Sequence, residues 1–149
     1  MLVPGTPGRP VQMIDARDLG AWMLHLLEQG TSGTFNATGP ERPLTWSQWM
    51  DVFGTAAGTQ PTYTWVSDEF LGQHEVNGGE LPFWVPAQYE NVFAVSVARA
   101  LRAGLSFRPA VETARDTRAW RNTSDVRELK VGLKPEREAE LLKVWRQRS

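Results

Sequence analysis

The chain reads as a mixed α/β, helix-rich fold with short strands and no complete doubly wound sheet. Three observations predict this. Apolar residues recur at helical spacing in several separate segments. The strand-like runs are few, short and bounded by glycine or proline. Long strands and helices nowhere alternate with the regularity of a complete nucleotide-binding sheet. At 149 residues, 41% hydrophobic and 22% charged, the sequence has the size and composition of one domain, residues 1–149.

The elements follow in order. Residues 1–10 are rich in proline and glycine, and 11–14 then read as a short strand. Asp18 suits the N-cap of a helix in which Leu19, Trp22, Met23, Leu26 and Leu27 form one apolar face, with Gly30 as its stop. Residues 33–37 read as a strand between glycines. Thr45 opens a second helix, Gln48 completes a capping box, and Gly58 ends it. Residues 62–66 predict a strand and 67–71 a helical turn. Residues 72–91 are the least regular, and the apolar run around Trp84 lies between Pro82 and Pro86. Such a loop either caps a cleft or plugs a core edge. Residues 91–95 predict a strand, Ser96 N-caps a helix ending at Gly104, and 110–120 form a further helix. A polar linker, 121–134, precedes a last helix that begins at Pro135 and buries Leu141, Leu142 and Trp145.

Composition excludes several roles. A net charge of −1 argues against binding driven by nucleic-acid or lipid phosphates. There is no cysteine, hence no disulfide or thiolate metal site. The first residues lack the basic start and apolar run of a signal peptide, and no stretch reaches the roughly 20 apolar residues of a membrane span, so a cytoplasmic protein is the expectation. His25 and His74 have no carboxylate at metal-binding spacing and read as surface side chains. No Gly-x-Ser-x-Gly elbow is present. Gly5 and Gly8 are followed by Val11, and Gly30 and Gly33 by Asn36, so neither pair makes a dinucleotide turn. Gln12, Asp15, Arg17 and Asp18 gather at a strand-to-helix junction. There Asp18 reads as structural, whereas Gln12 and Asp15 are balanced between ligand contact and backbone support. Arg108, Arg115, Arg118 and Arg121 read as a solvated face.

Three segments taken together resemble a known family. Leu2-Val3-Pro4-Gly5 followed by Val11-Gln12-Met13-Ile14-Asp15-Ala16-Arg17-Asp18-Leu19-Gly20-Ala21-Trp22 is similar to the glycine turn, short strand and x-x-Asp-Leu/Val-Ala helix of extended short-chain dehydrogenases/reductases, the NAD-dependent epimerase/dehydratase family. Gly33-Thr34-Phe35-Asn36-Ala37-Thr38-Gly39 resembles that family's G-x-(Y/F)-N-(V/A)-x-G strand. Residues 96–120, SVARALRAGLSFRPAVETARDTRAW, resemble its closing stretch. The order and spacing match over nearly the whole chain, and the reductase-like branch fits better than the nucleotide-sugar branch.

The resemblance implies the substrate-binding, C-terminal part of such an enzyme, with the N-terminal Rossmann domain absent from these residues. The family's Gly-x-x-Gly-x-x-Gly turn and Tyr-x-x-x-Lys pair have no counterpart. Tyr63 and Tyr89 are followed four residues on by Ser67 and Phe93. No catalytic or cofactor residue carries over, and NAD or NADP belongs to the full-length family rather than to this chain alone. Gln12, Asp15 and Trp84 are the implied substrate-cleft residues. Val11 stands where nucleotide-sugar epimerases place an arginine, which argues against a nucleotide-diphosphate sugar. Arg118 stands where the family more often has leucine or isoleucine, which implies a less tightly packed seam. Expected partners are a small-molecule substrate in the full-length context and the missing Rossmann domain, or a second copy through exposed apolar surface. The alternatives are a stand-alone binding module for a small molecule or partner and, last, an RNA-binding relative.

Overall fold

The computed structural model describes residues 1–123 and 130–148. A parallel pair is formed by β1 (Leu2–Pro4) and β4 (Thr64–Val66), in register Leu2 to Thr64 and Pro4 to Val66. An antiparallel pair is formed by β2 (Pro10–Val11) and β3 (Leu44–Thr45). These are separate two-stranded pieces, so the described residues hold no complete sheet. The helices are α1 (Ala16–Glu28), α2 (Trp46–Ala57), α3 (Asp68–Gln73), α4 (Ala98–Arg102), α5 (Ala110–Thr123) and α6 (Pro135–Arg146), with a 3-10 segment over Ala87–Phe93. The mixed, helix-rich class is as the sequence predicts. No helix among the described residues is long and apolar enough to cross a membrane.

Strand alternation divides the core. Successive side chains of a strand face opposite ways. Leu2 therefore joins Val66, Phe70, Leu71 and Leu141 on one side, while Val3 joins Val11, Trp46, Trp49 and Met50 on the other. A third cluster packs Trp22 of α1 against Ala100 and Leu105, with the Phe35 ring edge-on to Trp22 at 5.3 Å.

The termini of α2 follow the sequence signals. Thr45 accepts from the Gln48 N–H, the Gln48 Oε1 accepts in return from the Thr45 N–H, and Gly58 closes the helix at φ 66°. Pro135 likewise begins α6 and Leu141 is buried beneath it.

Other expectations need correction. Asp15, not Asp18, caps α1, because its carboxylate accepts from the Arg17 N–H while Asp18 lies inside the first turn. Residues 33–37 run without a strand partner, and 91–95 begin as a 3-10 turn. Gln12 occupies the Val95 amide and carbonyl that a strand neighbour would need. The strand at 2–4 went unread because Pro4 and its glycine-rich surroundings mimic a loop; Pro4 is in fact the last residue of a sheet-edge strand, where its missing N–H is tolerated. Of the expected linker, 121–123 belong to α5 and 124–129 lie outside the described residues.

Candidate functional site

Where α5 lies along α2, small side chains keep the helices from closing completely. Ala110, Ala114, Thr117 and Arg118 share one face of α5 at helical spacing, and none of α5 is fully buried. Opposite them α2 presents Trp49 and Phe53, whose rings stack at 5.7 Å. The result is a cavity of about 570 Å³, floored by these two rings together with Met13 and Phe107.

One end of the cavity is polar. Asp15 Oδ2 accepts from the Thr113 hydroxyl at 2.8 Å and from Arg17 Nη2 at 2.7 Å; Oδ1 accepts from Arg17 Nε at 2.9 Å. Arg17 reaches on to Asp116 at 2.6 Å. Asp18 accepts from the Arg108 N–H at 3.0 Å and from its Nε at 2.7 Å. The Arg17 hydrogen bonds outweigh the burial that would raise Asp15, and with Thr113 and Arg108 they hold its carboxyl far below the usual carboxylate range. Asp15 and Asp116 in turn push the Arg17 guanidinium up. A general base works best with a pKa near the working pH. Asp15 is thus a fixed, fully hydrogen-bonded anion, suited to holding structure at the cavity edge rather than to moving protons.

The three residues implied as cleft-lining do not meet. Asp15 is at the cavity edge, but Gln12 and Trp84 do not line it. Buried Gln12 donates to the Val95 carbonyl and accepts from its N–H, both at 3.0 Å. Trp84 sits in the first core cluster and its indole donates to Asp68 Oδ1 at 2.8 Å. Gln12 and Trp84 both fasten the irregular segment that follows α3.

Two residues of that fastening escaped sequence reasoning. Arg9 is only 8% exposed, and its guanidinium forks onto both oxygens of Asp68 while also donating to the Val85 carbonyl at 3.0 Å. Asp68 further accepts from the Ala87 N–H at 3.0 Å. Burial alone would raise the Asp68 carboxyl, but the hydrogen bonds from Arg9 and Trp84 hold it below the ordinary value. An arginine between Gly8 and Pro10 and an acid at the start of a helix carry no mark of this pairing.

The remaining candidates are plain. His25 is exposed, and His74 is half-buried with its ring 4.3 Å from Phe70. No group of three or more potential metal ligands occurs among the described residues. The Gly5 turn offers no open cradle for a phosphate. The Gly5 turn is backed by protein, since a Cβ there would come within 2.9 Å of the Arg9 guanidinium. Comparison with protein-family models, curated proteins and solved structures gave no match to this chain.

Proposed function

We propose that this chain is the substrate-side portion of an NAD(P)-dependent reductase or epimerase acting on a carbonyl or hydroxyl substrate, as its resemblance to extended short-chain dehydrogenases/reductases implies. It is not catalytically competent alone. In this reading the dinucleotide and the proton-transfer groups belong to a Rossmann domain packed against it, and these residues supply shape and specificity.

The observation that carries the reading is the surface around α1. Met23, Leu24 and Leu27 are 55%, 62% and 77% exposed, a row of large apolar side chains that no described residue covers. Beside them, held by Phe35 against Trp22, residues 33–37 belong to no helix or strand and make no backbone–backbone hydrogen bond among the described residues. An apolar helix face next to unpaired backbone is what a packed α/β sheet would cover, since parallel sheets have both faces buried by neighbouring elements.

Two measurements test the reading together. In-frame translation of the genomic DNA upstream of Met1 is expected to give a Gly-x-x-Gly-x-x-Gly unit and a Tyr-x-x-x-Lys pair. Titration of the isolated chain with NADPH and NADH is expected to give no saturable binding. A stop codon directly upstream, or tight NADPH binding by the 149 residues alone, overturns it.

The cavity between α2 and α5 favours a second reading, a stand-alone small-molecule binding module. Its volume of about 570 Å³ lies inside the roughly 300–1,000 Å³ range of small-molecule sites.

A further inference from the structure

We propose that the cavity between α2 and α5 binds a small apolar monocarboxylate, its tail between Trp49, Phe53 and Phe107 and its carboxylate on the Arg118 guanidinium. This rests on the binding-module reading and is independent of the reductase reading, because it requires no nicotinamide.

The floor selects an apolar body. Trp49 uses its single polar atom elsewhere: the indole N–H donates to the Val11 carbonyl at 2.9 Å. Only its ring surface therefore faces the cavity, beside the rings of Phe53 and Phe107. Aromatic faces of this kind hold aryl or alkyl groups by area and offset stacking.

The charges select the head group. The lining includes two carboxylates and three arginines, Arg108, Arg118 and Arg121. Both carboxylates are already met by cations: Asp15 by Arg17, with Thr113 also donating to it, and Asp18 by Arg108. An incoming amine would find no open anion among the described lining residues. Arg118 differs. It is exposed at the lip, and its partner among the described residues is a neutral acceptor, the Ala56 carbonyl at 3.2 Å. Among the described residues no carboxylate meets this guanidinium, and its remaining donors are available to a carboxylate, whose two oxygens match its planar fork.

The test uses isothermal titration calorimetry of the whole chain at pH 7 with two probes of nearly equal shape, 4-phenylbutyrate and 4-phenylbutan-1-ol. The acid is expected to bind at one site and about fivefold more tightly than the alcohol, the scale of a partly exposed ion pair. Arg118→Gln is expected to weaken the acid to the level of the alcohol and leave the alcohol unchanged. Ala114→Phe, which fills the seam, is expected to abolish both. Circular dichroism checks that each variant folds. Equal binding of the two probes by the native chain overturns the carboxylate assignment and leaves the module reading standing. Absence of binding by either probe overturns the site itself.

Discussion

The Thr113 hydroxyl donates to Asp15 Oδ2 at 2.8 Å, across a sequence separation of 98 residues. The same carboxylate caps α1 through the Arg17 N–H, so one side chain ends one helix and anchors another. Asp15→Ala removes the cap and leaves Thr113 without its acceptor. The expected loss is about 2 kcal/mol in urea unfolding, from a cap and a partly buried hydrogen bond together. Asp15→Asn should lose less, because asparagine also caps well. The Asn penalty should depend on pH. The folded carboxyl is held below its unfolded value of about 3.9, so its contribution is complete above that pH and fades as pH falls through the folded value. The gap between native chain and Asn variant is therefore expected to narrow in acid; a constant gap from pH 7 to pH 3 counts against the role of the charge.

Arg9 is buried and its partner Asp68 partly so, with side chains 7% and 20% exposed. Removing one partner strands the other charge away from water. Asp68→Ala is expected to cost about 3 kcal/mol or more, because Arg9 then keeps its charge without its main acceptor. Replacing both, as Arg9→Met with Asp68→Leu, should recover most of that loss, since an apolar pair of similar volume carries no desolvation penalty. Thermal unfolding of the two variants checks this. A double variant as unstable as Asp68→Ala would assign the loss to Trp84 and Ala87, the other donors to Asp68. As with Asp15, the Asp68 carboxyl is lowered in the fold, so this contribution too is lost toward acid and not toward alkali.

How much of this was legible depended on whether the determinant was local. The capping box at Thr45 and Gln48, the left-handed stop at Gly58 and the proline start of α6 are set by residues within a few positions of each other, and the sequence displays them. The cap of α1 was misplaced by three residues because two aspartates stand in one turn. What separates them is Arg108, 90 positions from Asp18, and no local pattern reveals that. Residues 33–37 have the alternation of a strand, but a strand also needs a neighbour, and none among the described residues pairs with them. The candidate site was legible in part. Asp15 was singled out as a residue and does stand at the cavity edge. The cavity itself arises from the spacing of Ala110 and Ala114 opposite aromatic rings 60 residues earlier, which only the packing of α5 on α2 brings together.

Gln12 offers a direct check on the irregular segment. Its amide makes a two-way bridge with the Val95 backbone. Gln12→Leu keeps the volume and removes both bonds, leaving the Val95 N–H and carbonyl without their side-chain partner. A loss of about 1–3 kcal/mol is expected. Hydrogen exchange should locate it, with the Val95 amide exchanging markedly faster while amides in α2 slow or quicken only with global stability. Unchanged exchange at Val95 would mean that the bridge does not hold this segment.

The outer face of α1 makes the last prediction. Met23, Leu24 and Leu27 project outward on a helix in which Trp22 alone is buried. A contiguous apolar patch of this sort draws any complementary surface in solution, including another copy of itself. The isolated chain should therefore associate as its concentration rises, with a mass by light scattering above 16.7 kDa. Leu24→Glu combined with Leu27→Lys should return it to the monomer mass. These side chains are 62% and 77% exposed, so the change is expected to alter unfolding by no more than about 0.5 kcal/mol. The two charges fall three apart on an exposed face, where opposite signs are compatible with the helix. If the doubly substituted chain associates as strongly as the native one, the contact lies elsewhere, and exposed Trp120 on α5 is the next residue to change. If it becomes monomeric and keeps its helical circular dichroism, the α1 face is the surface through which this chain meets its partner.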